Sequence, residues 1–184
     1  MKIVALYGGP RKKGNTLLLL EEVLQAVRQQ GAEVEVFNLN TLNFKGCQAC
    51  FGCKKHEGCV IKDDAQRVLQ AIAAADRLVL ATPVYMWDLT GQLKLMLDRL
   101  FCFLNLDHTS KLTPGKKVLW TITQGQPDTN MFKEVFVKHG KMLEFLGFGE
   151  NQFVMAGGLM VPGDINKQTA VLAEARAKAQ WLVK

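Results

Sequence analysis

Long hydrophobic runs are missing from this chain. The longest, at residues 78–87 and 153–161, fall short of the roughly 20 apolar residues that span a bilayer, and Thr, Pro or Gly interrupts each. No secretory leader is legible: the apolar stretch at 3–6 is too brief, and Arg11, Lys12 and Lys13 follow it. The expectation is a cytoplasmic protein without a membrane partner. Cationic blocks longer than those three residues are absent, and no basic stretch interleaves with aromatics. Both facts argue against nucleic acid as a partner. The net charge of +6 then reads as a solvated, cation-rich surface that also favours small anions. His56, His108 and His139 are scattered, with no Ser or Cys at a recognisable spacing, and read as surface or loop residues. No carboxylate pair or nucleophile triad is evident. Asp63 and Asp64 read as a helix cap, so no side chain is assigned a catalytic role.

What is present is an ordinary globular composition, 48% apolar and 22% charged, over 184 residues. One domain spanning 1–184 is the natural reading, large enough to bury a core without disulfides. Strands are expected at 2–7, 34–37, 77–82, 117–123 and 153–160, each nearly continuous in apolar residues. Helices are expected at 16–30, from 63 or 64 to 75, and at 91–104, 128–146 and 166–183. The helix at 91–104 is apolar on most faces, which predicts burial all round and a subunit interface. Strand and helix alternate, and continuous apolar strands demand a parallel sheet covered on both faces. The expected fold is therefore a doubly wound five-stranded α/β sheet in the order 2-1-3-4-5. Ligands of such sheets bind beyond the carboxyl ends of the strands, at the switch between strands 1 and 3.

The loop after strand 1 reads Gly8-Gly9-Pro10-Arg11-Lys12-Lys13-Gly14-Asn15-Thr16 and runs into a helix N-terminus. Free amides and the positive end of the helix dipole suit an anion there. Asn15 and Thr16 offer an amide and a hydroxyl, and Arg11 a planar fork. Asn15 stands where a phosphate-binding lysine of an NTPase loop must be, and no G-x-G-x-x-G is present. What remains is a cradle for a terminal phosphate monoester. After strand 3 come Pro83, Val84, Tyr85 and Trp87, with two large flat faces. After strand 4 come Gln124 and Gly125, with exposed amides. These two loops suit a planar ring whose phosphate the first loop holds.

The first loop resembles the pattern G-S-P-R-x-x-G-N-T. Thr82-Pro83-Val84-Tyr85, Gly91-Gln92-Leu93-Lys94 and Asp98-Arg99 resemble a second block of the same family. Both belong to the NADPH-dependent FMN reductases, which are flavodoxin-like. The resemblance covers residues 1–125 closely and the rest in general layout. It implies that Gly9, Arg11, Asn15 and Thr16 hold the FMN phosphate. It implies that Pro83, Val84, Tyr85 and Trp87 contact the ring, with Gln124 and Gly125 closing over it. It further implies a homodimer or homotetramer. Gly9 departs from the family, which commonly has Ser there.

Five cysteines in a reducing compartment argue for metal or redox chemistry rather than disulfides. Four of them lie in the loop at 46–60 as Cys47-x2-Cys50-x2-Cys53-x5-Cys59. Four soft ligands so close in sequence suit a 4Fe–4S cluster, and the spacing resembles the iron–sulfur flavoprotein branch of the family. A zinc site using these thiolates, or three of them with His56, is an alternative, as are free thiols. Cys102 reads as a packed small hydrophobe. Three functions follow as expectations. The first is an FMN-dependent enzyme carrying electrons from NAD(P)H to a small acceptor such as a flavin or quinone. The second is an electron carrier fed through a cluster by a ferredoxin-like donor. The third is a nucleotide-binding module without turnover.

Overall fold

The computed structural model describes residues 1–184. Five parallel strands, β1 (Lys2–Tyr7), β2 (Glu33–Asn38), β3 (Arg77–Pro83), β4 (Val118–Thr123) and β5 (Asn151–Ala156), form one sheet in the order β2-β1-β3-β4-β5. The helices are α1 (Asn15–Arg28), α2 (Ala65–Ala74), α3 (Gly91–Arg99), α4 (Lys133–Phe145) and α5 (Thr169–Val183). Alternation along the strands divides the core. Ile3, Ala5 and Tyr7 of β1 pack with α1 and α5, while Val4 and Leu6 pack with α2, α3 and α4. The same two-residue period recurs in β3, where Leu78 and Leu80 face one layer and Val79 and Ala81 the other. The expected fold and strand order are thus observed. No helix is long and apolar enough to cross a membrane.

Several expectations need correction. β5 begins at Asn151, opposite Val118, and ends at Ala156 opposite Thr123. Pairing with β4 sets its length, so 157–160, although apolar, leave the sheet. α4 starts at Lys133 rather than 128, because Asp128 accepts from the Asn130 amide in a turn. The segment at 91–104 is α-helical only to Arg99 and continues as a 3₁₀ turn, Leu100–Phe103. It is not buried all round: Lys94 and Asp98 face outward and pair, and Leu95 is 42% exposed. The helix therefore gives no independent argument for a subunit interface.

Asp63 and Asp64 do not act chiefly as a helix cap. Arg99, 1% exposed, grips Asp63 with both nitrogens, Nη1 to Oδ2 at 2.8 Å and Nη2 to Oδ1 at 3.1 Å. The same guanidinium donates to the carbonyls of Lys45 and Ile61. One buried cation thus fastens both ends of the cysteine loop. Asp64 accepts from the Asn43 amide, adding to that fastening. Burial alone would raise the Asp63 pKa. The bonds from Arg99 and from the Lys45 and Ala65 amides outweigh it and hold the carboxyl below its usual range. Such a carboxylate contributes stability in full above its unfolded pKa of about 3.9 and loses it as pH falls through the folded value. Arg99→Met should therefore cost about 3–5 kcal/mol in urea unfolding at neutral pH, as orphaning one partner of a buried pair does. Asp63→Asn should lose part of the wild type's stability decline below about pH 4. Unchanged urea midpoints and acid profiles would contradict this role.

Candidate functional site

The loops after β1, β3 and β4 meet at the carboxyl end of the sheet, where the strand order switches. The chain approaches itself closely there. A Cβ on Gly8 would lie 2.6 Å from Thr90 Oγ1, so the first loop tolerates only glycine against the start of α3. Thr90 in turn caps α3 through Leu93 N–H. A cleft opens between the three loops. It brings together Gly9, Arg11, Asn15, Thr16, Pro83, Val84, Tyr85, Gln124 and Gly125. Trp87 lies in an adjoining shallow hollow that shares Val84, Gln124 and Gly125 with the cleft. Tyr7, Thr123 and Leu159 also line the cleft and were not legible as site residues.

The first loop leaves its donors free. The amides of Gly9, Arg11, Lys12, Lys13, Asn15, Thr16 and Leu17 donate to no acceptor of the protein, whereas Gly14 N–H bonds the Arg11 carbonyl. Gly14, at the N-cap of α1, brings no capping side chain, and the first turn has no acid. A helix start without its own cap is an anion seat. The Arg11 guanidinium is exposed and makes no ion pair or hydrogen bond.

Asn15 differs from expectation. Its side-chain Nδ2 donates to the Val161 carbonyl, and its Oδ1 accepts from Gly163 and Ile165 N–H. The carboxamide clasps the segment after β5, so Asn15 offers the seat its backbone amide. Thr16 Oγ1 pairs with Thr123 Oγ1, tying α1 to the end of β4.

On the ring side, Gln124 is buried. Its Nε2 donates to the carbonyls of Gln126 and Asp128, but its Oε1 has no partner. A buried acceptor without a donor, in a residue that lines a cleft, suits a ligand carrying a ring N–H. Tyr85 and Asp88 exchange backbone hydrogen bonds across Met86 and Trp87, whose φ values are +44° and +70°. Two consecutive left-handed residues other than glycine are strained. Met86 is 94% and Trp87 70% exposed, and the Trp87 ring leans on Phe132 at 5.9 Å. Met160 beside this turn is exposed as well.

His139 holds this turn, and sequence gave no signal of it. Its Nε2 meets Asp88 Oδ1 at 2.9 Å. Burial opposes the charge on Asp88, but the bonds to His139 and to Leu89 N–H win and hold the carboxyl below its usual range.

The cysteine loop stands apart from the cleft. Cys47 and Cys50 are exposed, Cys59 is half-buried, and Cys53 and Cys102 are buried. Burial pushes the Cys102 thiol up to about 12, and neighbouring Cys59 and Cys53 push the same way. Cys102 is thus the packed residue expected. No three His, Cys, Asp or Glu side chains stand close enough together to hold a metal ion. The four loop thiols have the chemistry of a cluster ligand set and do not have its geometry.

A sequence model of the family described as NADPH-dependent FMN reductase matches residues 1–157. An iron-sulfur flavoprotein of Methanocaldococcus jannaschii is 37% identical over 99 residues, 54% of this chain and 51% of that protein. The chain spans about half the length of the curated iron-sulfur flavoproteins it matches. A Bacillus subtilis protein, YwqN, whose name describes an NAD(P)H-dependent FMN-containing oxidoreductase, is 24% identical over 95% of this chain and 94% of its own. Among solved structures, an NAD(P)H:quinone oxidoreductase from Methanothermobacter marburgensis superposes with a TM-score of 0.77 at 21% identity, covering 97% of this chain and 94% of the other. An FMN-dependent NADH-azoreductase from Bacillus anthracis, in complex with FMN, gives 0.78 at 16% identity, with full coverage of both chains. At these identities the structural likeness speaks to the fold.

The strain in the turn is testable. Met86→Gly removes an exposed side chain from a left-handed residue. It should raise stability by up to about 1 kcal/mol in denaturant unfolding. A loss of that size would show that the turn is not strained.

Proposed function

Since the chain belongs to the NADPH-dependent FMN reductase family, we propose that it is an FMN-dependent oxidoreductase drawing electrons from NAD(P)H. The observation that carries this reading is the unfilled amide seat at α1, beside a shelf with an unpartnered buried acceptor. The donors fit a dianionic phosphate monoester, and Gln124 Oε1 fits the ring N–H of an isoalloxazine. Bound FMN supplies hydride acceptance from the nicotinamide and onward electron transfer to a small acceptor such as a flavin or quinone. The chain's own part is to bind and orient. The α1 amides and Arg11 take the phosphate. Pro83, Val84, Tyr85, Gln124 and Gly125 border the ring, and Trp87 extends the shelf outward. The absence of an assigned acid or base suits hydride chemistry, in which the cofactor carries the reacting atoms.

Protein titrated with FMN should bind one equivalent, quenching the flavin fluorescence, and NADPH or NADH should then bleach the bound flavin. Arg11→Ala should raise the FMN dissociation constant about 10- to 100-fold, the ~1.5–3 kcal/mol of a lost charge-assisted bond. Failure to bind FMN, or an Arg11→Ala variant of unchanged affinity, would contradict the assignment.

A second reading, an electron carrier with a 4Fe–4S cluster on Cys47, Cys50, Cys53 and Cys59, draws support from the cysteine spacing and from relatives named as iron-sulfur flavoproteins. The thiols do not converge, so no electron route through a cluster is derived. Protein purified without oxygen decides it. About four iron and four sulfide per chain would establish the cluster, and neither would leave the flavin alone as the redox group.

A further inference from the structure

The seat has no side chain at position 9, which is glycine. Tyr7, the last residue of β1, lies directly beneath the loop and is 2% exposed. A Cβ on Gly9 would stand 2.5 Å from the Tyr7 hydroxyl oxygen and 2.7 Å from Cε2 and Cζ. A side chain at 9 would therefore displace the Tyr7 phenol from where it stands. The phenol oxygen lies 3.7 Å from where a Gly14 Cβ would be, so it sits inside the curl of the loop. Tyr7 also lines the cleft.

We propose that Tyr7 is a specificity-determining residue of the seat, its hydroxyl turning from the Arg11 carbonyl to the ligand's terminal phosphate and replacing the side chain that Gly9 lacks. The inference rests on the reading of the cleft as an FMN site. The hydroxyl now donates to Arg11 O at 2.7 Å. That carbonyl also accepts from Gly14 N–H, so it keeps a donor when the phenol turns away. Rotation about one C–O bond suffices, and no proton leaves the protein. The phenol is a donor throughout the neutral range. Burial, reinforced by Tyr85, pushes it up to about 12 against the opposing pull of Arg11. A hydroxyl donating to a dianion makes a charge-assisted bond. Thr16 Oγ1 shares one hydrogen with Thr123 Oγ1, so the phenol adds a donor to what that pair can offer.

The test compares FMN with riboflavin, which lacks the phosphate, by fluorescence titration of the full chain. Tyr7→Phe keeps the ring and removes the donor. It should weaken FMN about 10- to 100-fold and change riboflavin by less than about twofold. A positioning role through Arg11 alone is separated by rescue. Gly9→Ser should weaken FMN binding in the wild type, where it meets the Tyr7 ring. It should strengthen FMN binding in a Tyr7→Val background, where the serine hydroxyl has room to reach the phosphate. Gly9→Ser effects of the same sign in both backgrounds would overturn the proposal. So would a Tyr7→Phe variant that keeps the full preference for FMN. Wild-type protein binding riboflavin as tightly as FMN would instead overturn the phosphate seat itself, and the role of Tyr7 with it.

Discussion

At the start of α1 the backbone N–H groups of Gly9, Arg11, Lys12, Lys13, Asn15, Thr16 and Leu17 find no acceptor in the protein. Those of Gly9, Asn15 and Thr16 belong to buried residues, where donors are ordinarily satisfied, so a fold that leaves them open has a use for them. The neighbouring residues keep them open. Glycine at the N-cap brings no competing oxygen, and no carboxylate lies in the first turn. Asn15, the residue best placed to cap, uses its carboxamide on the segment after β5. Thr16 is tied to Thr123. The helix dipole and three exposed cations add positive potential to the same point. Everything else in the cleft is arranged around what this seat can hold.

The ring side is built differently. Its shelf is a strained turn held from outside, by backbone bonds between Tyr85 and Asp88 and by His139 reaching from α4. Strain of this kind persists only where surrounding structure over-determines it. Met86 gains almost no burial in return, and Trp87 only its contact with Phe132. The cysteine loop is fastened by a third device, the buried Arg99 that joins Lys45, Ile61 and Asp63. Arg99 is one of the residues that mark the family resemblance, and its contacts are structural.

The sheet was legible because its signals are local. Each central strand is an unbroken apolar run, and right-handed crossovers leave few orders to choose from. The end of β5 was not legible, because an apolar sequence does not say where a partner strand stops. The candidate site was legible in its backbone part. Gly9, Arg11 and the start of α1 announce an anion seat by residue type and position. Side-chain partnerships across the fold were not. Asn15 with Val161, Asp88 with His139 and Asp63 with Arg99 lie between 36 and 146 residues apart, and nothing in one partner's neighbourhood names the other. In the sequence Tyr7 is simply the end of a strand, because nothing in a strand's sequence reveals what lies above its last ring.

The central claim, that the open amides grip a phosphate, is tested most directly by heteronuclear NMR of the labelled protein titrated with FMN. The account predicts that the amide protons of Gly9, Arg11, Lys12, Lys13, Asn15 and Thr16 move downfield together, as donors to a dianion do, while riboflavin leaves them in place. Loop amides that ignore FMN while resonances elsewhere shift would contradict it.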